Sequence, residues 1–207
     1  MFKRHSGGVK KMNLKNKNPL IIVISGTYGV GKTTLAHNLA YKLNIKQQIG
    51  LSAIAQTLRY INNKNPLIKG LGNFSNCITE KDFIKKLHTE AKLIGKILKN
   101  IIEKFIITGE HCVIDGVELL PQYLPLKKIY YITLILKNIK KHKKRFLNPS
   151  ITRKKRFSNA NFNAVKIIEK EILRNNSNYN TPVFESGLNE KDLADLIIKE
   201  LHLKPIK

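Results

Sequence analysis

Gly26-Thr27-Tyr28-Gly29-Val30-Gly31-Lys32-Thr33 decides the fold of this 207-residue chain. The run fits G-x-x-x-x-G-K-[ST] without a gap, the pattern of a loop that wraps phosphates with its backbone N–H groups. Its flanks agree. Leu20-Ile21-Ile22-Val23-Ile24 is an apolar, β-branched run, as in a buried parallel strand. Residues 34–43 have helical spacing, with Leu35, Leu39 and Leu43 on one face. Strand, glycine loop and helix thus follow in the order that a triphosphate site needs. Gly26 to Thr33, with Thr34 behind them, are the expected nucleotide-binding residues. Lys32 reaches the β- and γ-phosphates, and Thr33 is placed to hold Mg²⁺.

Outward from the loop, strand-like and helix-like segments alternate, which argues for an α/β fold with a parallel sheet. Residues 47–51 read as a short second strand, and Ser52 as the cap of a helix through residue 60. Residues 61–78 read as a long loop, of the kind that often carries function. Thr79-Glu80-Lys81-Asp82 is a capping box that opens a long helix, with Phe83, Leu87, Ile94, Ile97, Leu98, Ile101, Ile102 and Phe105 at core spacing. His111-Cys112-Val113-Ile114-Asp115-Gly116 suits a strand that ends in an acid beside the loop. Residues 129–136 form another β-rich run, 138–146 a basic helix, 151–161 a basic connection and 162–173 a helix. Residues 182–184 form a short strand, and 190–203 a closing helix. The expected architecture is a kinase-like P-loop fold over residues 19–207: a five-stranded parallel sheet flanked by helices, with a basic lid at about 146–161. Residues 1–18 read as a basic, disordered tail without the apolar core of a secretory signal.

The formal net charge is +24, and no Asp or Glu precedes Glu80. A second acid-free block runs from Lys137 to Arg156. Such a surface attracts polyanions, although Lys as the favoured surface residue of an Ile- and Asn-rich chain explains it equally well. No apolar run reaches the length of a membrane span, so no membrane partner is expected. Cys77 and Cys112 are too few for a disulfide framework or a thiolate metal site, and a reducing cytoplasm is the expected setting. Cys112 reads as a small buried hydrophobe.

Asp115 is the expected second magnesium-site acid, since a carboxylate at a neighbouring strand end binds the ion directly or through water. Arg145, Arg153 and Arg156 are the lid cations suited to the charge that phosphoryl transfer spreads over equatorial oxygens. Glu118 and Arg59 are acceptor-side candidates. His142 reads as a surface residue of the basic helix.

These passages resemble the archaeal 2-phosphoglycerate kinase family over most of the chain. The resemblance rests on the loop, on Cys112-Val113-Ile114-Asp115-Gly116-Val117-Glu118-Leu119-Leu120-Pro121, on His142-Lys143-Lys144-Arg145-Phe146 and on residues 162–168. It implies an ATP- and Mg²⁺-dependent phosphotransferase with an alcohol acceptor, a small anionic molecule such as 2-phosphoglycerate. After its second strand the family carries an Asp and, three residues on, an Arg; Ser52 and Ala55 stand there, while Arg59 remains. Asp115 or Glu118 is then left to receive the acceptor proton. Two other readings stay open: a polynucleotide-end kinase, and a catalytically inactive nucleotide-binding component of an RNA-containing assembly.

Overall fold

A computed structural model describes residues 19–74, 76–147, 159–187 and 190–206. Its centre is a five-stranded, all-parallel sheet in the order β2-β3-β1-β4-β5. The strands are β1 (Ile21–Ser25), β2 (Gln47–Gly50), β3 (Cys112–Gly116), β4 (Tyr130–Ile135) and β5 (Val183–Glu185). The chain leaves β1 to one side for β2 and β3 and to the other for β4 and β5. The crevice at the carboxyl end of β1 is therefore a topological switch point, where open α/β sheets bind ligands. Register places the chemistry there, because Ile24 pairs with Asp115 and Ser25 with Gly116.

The alternation of β1 explains how helices cover both faces. Ile22 and Ile24 meet Leu35, Leu39 and Leu43 of α1 (Lys32–Leu43) and Leu193, Ala194 and Ile197 of α7 (Glu190–Glu200). Ile21 and Val23 meet Ile94, Leu98 and Ile102 of α4 (Glu80–Thr108) and Leu51 of α2 (Leu51–Ile61). These side chains are almost wholly buried, and area removed from water is the main source of stability here. A further cluster joins Leu87 and Ala91 to Val117, Leu120, Ile168 and Ile172, tying α4 to α6 (Asn159–Tyr179) and to the segment after β3.

The capping box forms as expected. The Thr79 hydroxyl accepts from the Asp82 N–H, and Asp82 Oδ2 accepts from the Thr79 N–H at 2.8 Å. Cys112 is buried, and burial pushes its thiol up to about 12. Three expectations need correction. Ser52 is not a cap: Gly50 is the N-cap of α2 and Ser52 lies exposed inside the helix. The helix begins at Leu51 because Leu51 packs into the apolar layer, directly against Gly116. The 61–78 segment is not all loop: α3 (Pro66–Lys69) starts at Asn65, whose side chain accepts from Leu67 and Ile68 N–H groups. The helix placed at 162–173 runs on to Tyr179. Among the described residues no helix is long and apolar enough to cross a membrane. The tail at 1–18, and the lid beyond α5 (Ile139–Leu147) up to α6, lie outside the described residues.

Candidate active site

The loop 26–31 turns through three left-handed glycines, Gly26 at φ 144°, Gly29 at 79° and Gly31 at 98°. Gly31 is also the N-cap of α1, whose first turn carries no acid, so the positive helix end stays open to an anion. Lys32 Nζ donates to the Thr27 carbonyl at 2.8 Å, folding its ammonium back over the loop. Thr33 Oγ1 donates to Asp115 Oδ2 at 2.9 Å. A hydroxyl and a carboxylate, both hard oxygen donors, thus meet at the first turn of α1, a donor set that suits Mg²⁺. The glycine turns, the open helix end and these oxygens fit a magnesium–triphosphate group.

Ser52 Oγ and Asp115 Oδ1 both border Gly50. A Cβ at Gly50 would sit 3.6 Å from Ser52 Oγ and 3.7 Å from Asp115 Oδ1. At the position where the resemblance leads one to expect a carboxylate, this chain carries the Ser52 hydroxyl.

A second carboxylate approaches from the segment after β3. A Cβ at Gly72 would lie 3.9 Å from both Glu118 Oε1 and the Tyr28 hydroxyl, so these groups converge on one point. Burial pushes the Glu118 carboxyl up; its own and the Val117 N–H groups, Lys32 and Lys86 pull it down. Burial, reinforced by Glu118 and Glu90, pushes the Tyr28 phenol well above its ordinary range, so it stays protonated as a donor. Glu90 is an ion inside a helix core. It is fully buried, pairs with Lys86 at 2.7 Å and accepts the Gly72 N–H at 3.2 Å. Burial raises its carboxyl, which Lys86 and the Gly72 N–H partly offset. It therefore fastens the 61–78 segment to α4.

Arg59 does not stand open beside the loop. Its guanidinium donates to the Leu71 carbonyl at 2.7 Å and to Gln56 Oε1 at 2.9 Å, stapling α2 to the same segment. Arg145 approaches the opposite flank, where a Cβ at Gly31 would lie 3.8 Å from its Nη1. With Val30, Leu35, Leu134, Ser186 and Leu193 it lines a small cavity behind the loop. Thr34 is exposed on α1. Arg153 and Arg156 lie outside the described residues.

His142 corrects the surface assignment. It is wholly buried, with Nε2 2.8 Å from the Tyr28 carbonyl oxygen and its ring edge-on to Phe162 at 5.2 Å. Sequence reading also missed Glu90, because a Glu in a helix rich in Lys and Glu looks solvated. A Glu at i+4 from a Lys was the one available signal.

No family model matches the chain. A curated protein of Methanocaldococcus jannaschii named 2-phosphoglycerate kinase is 29% identical over 144 residues, 63% of this chain and 46% of the relative. Its namesake from Pyrococcus horikoshii is 23% identical over 194 residues, 88% and 64%. That of Methanococcus maripaludis is 26% identical over 192, 82% and 61%. The resemblance read from the sequence is thereby borne out, and the chain matches about half to two thirds of these relatives' length. Among solved structures, a sugar kinase from a Janibacter species superposes with a TM-score of 0.56 at 16% identity, covering 90% of this chain and 96% of that one. A shikimate kinase from Acinetobacter baumannii, in complex with shikimate, gives 0.50 at 13% identity over 89% and 93%. The fold is that of the P-loop kinases.

Proposed function

We propose that this chain, like the archaeal 2-phosphoglycerate kinases it resembles, transfers the γ-phosphate of ATP to a hydroxyl of a small anionic acceptor. The observation that carries the reading is the Thr33–Asp115 contact at 2.9 Å, which brings an acid from β3 to the helix turn that follows the phosphate loop. Each residue has a defined part. The N–H groups of residues 29–33 and the α1 terminus hold the β- and γ-phosphates, with Lys32 unfolding from Thr27 to join them. Thr33 and Asp115 hold Mg²⁺, which when bound neutralises charge developing on the phosphate oxygens. Arg145, with Arg153 and Arg156, supplies guanidinium charge over the transferring group.

With Ser52 in place of a carboxylate, Glu118 receives the acceptor proton. Its raised affinity for protons brings it closer to a working base at neutral pH. The acceptor oxygen bonds to the γ-phosphorus as the bond to the departing diphosphate oxygen breaks, and the hydroxyl proton passes to Glu118. Lys86 and Lys32 supply the positive field for an acceptor's own phosphate or carboxylate. A single-turnover screen with labelled ATP and a panel of hydroxy acids, phosphorylated and not, tests the reading. Label should appear on a phosphorylated hydroxy acid such as 2-phosphoglycerate; transfer only to neutral sugars would sink the anionic acceptor.

Exposed Lys140, Lys143 and Lys144 on α5 favour a second reading, an RNA or DNA end as acceptor. Adding a short 5′-hydroxyl RNA to the same panel separates the two.

A further inference from the structure

The phosphate loop is held from behind by α5 and α6. The Thr27 hydroxyl donates to the Val165 carbonyl of α6 at 3.3 Å. Gly29 lies against Phe146 of α5, whose backbone would be 3.4 Å from a Cβ there. The strongest hold is His142. The Tyr28 carbonyl can only accept, so Nε2 of His142 carries the hydrogen between them. Nδ1 then faces Glu169 Oε2 at 3.4 Å, and these are two buried polar atoms that make no regular hydrogen bond. An imidazole lone pair set against an ionised carboxylate in a poorly solvated site would repel it. A proton held between the two side chains would relieve that repulsion.

The surroundings are charged on every side. Lys166 pairs with the other oxygen of Glu169, and Lys32 lies near enough from α1 to oppose a charge on His142. Burial pulls the imidazole below its ordinary range, the Tyr28 carbonyl and Glu169 pull it up, and the two lysines push it down. The peptide geometry gives this a consequence. A trans peptide holds C=O and N–H in opposite directions. With the Tyr28 carbonyl fixed on His142, the Gly29 N–H points away from it. Gly29 is left-handed at φ 79° and free to swing if that hold is lost.

We propose that His142 and Glu169 form a positioning pair for the phosphate loop, acting through the Tyr28 carbonyl, and that the proton they share sets how tightly the loop grips a nucleotide. The proposal rests on the nucleotide reading above. Because α5 and α6 flank the basic 148–158 segment, the pair also ties the lid's supporting helices to the loop.

The test uses the full chain, ATP-Mg²⁺ calorimetry and hydrogen exchange at residues 26–33. A Gln amide reaches about as far as Nε2 and keeps a donor for Tyr28, whereas Asn ends near Nδ1 and loses it. His142→Asn should weaken ATP-Mg²⁺ about tenfold, and His142→Gln by less than about threefold. Wild-type affinity should fall as pH rises through loss of the shared proton. Glu169→Gln, which can donate to Nδ1 permanently, should flatten that profile. Equal weakening in His142→Asn and His142→Gln, or a pH profile unchanged in Glu169→Gln, overturns the proposal. If His142→Asn does not fold, the Glu169→Gln profile decides alone. If the wild type binds no better than Lys32→Ala, the nucleotide reading fails instead. The pair is then judged by exchange at residue 29 of the ligand-free protein, which His142→Asn must speed and His142→Gln must not.

Discussion

Replacing Gly26 by Ala probes the geometry on which the site depends. Gly26 sits at φ 144°, and a Cβ there would lie 2.4 Å from the Leu134 carbonyl oxygen. Leu134 belongs to β4, which is paired on both sides by β1 and β5, so that oxygen cannot easily retreat. The disallowed backbone costs about 1–3 kcal/mol, and forcing an atom into a packed layer costs about 1–3 kcal/mol more. A loss of about 4 kcal/mol follows. Gly109→Ala is the control. It has φ 73° but nothing within 4 Å of its Cβ, so only the left-handed cost of about 1 kcal/mol applies. Urea denaturation at matched slopes should separate the variants by about 3 kcal/mol. Each kcal/mol corresponds to roughly 2–4 °C of Tm in a chain of this size. Losses equal within about 1 kcal/mol would refute the argument that β4 confines the start of the loop.

Asp115→Asn should weaken Mg²⁺-dependent ATP binding about 10- to 100-fold while leaving metal-free ATP binding unchanged, measured by calorimetry with and without chelator. If Glu118 accepts the proton, it must be ionised to act. The acid limb of kcat/KM should then lie above the ordinary glutamate range and vanish in Glu118→Gln; a limb within that range contradicts the role. Glu90→Ala leaves Lys86 without its buried partner and should cost about 3 kcal/mol in denaturation, with faster hydrogen exchange at Gly72; stability within experimental error of wild type would discount the fastening contact. Binding of random RNA should fall steeply with salt if the basic face of α5 takes nucleic acid, and negligible affinity at low salt removes that reading.

What could be read in advance was whatever local chemistry dictates. The loop motif announced its own strand and helix, the Thr79–Asp82 capping box marked the start of α4, and the apolar run ending in Asp115 announced a strand beside the loop. Asn65 followed by Pro66 was also a helix start, obscured by the turn-like residues around it. Contacts made by chain folding were not legible. His142 sits among lysines, and only the approach of Phe162 and Glu169 on α6 buries it. Glu90 becomes an interior ion only because the Gly72 backbone and Lys86 satisfy it. Arg59 was assigned to a ligand because its contact with the Leu71 carbonyl depends on the path of the 61–78 segment.

Label transfer from γ-labelled ATP-Mg²⁺ to 2-phosphoglycerate, run side by side with wild type and Lys32→Ala, tests the central claim most directly. The account predicts a labelled bisphosphorylated product with the wild type and none with Lys32→Ala. Equal labelling by both proteins, or none by the wild type, would contradict it.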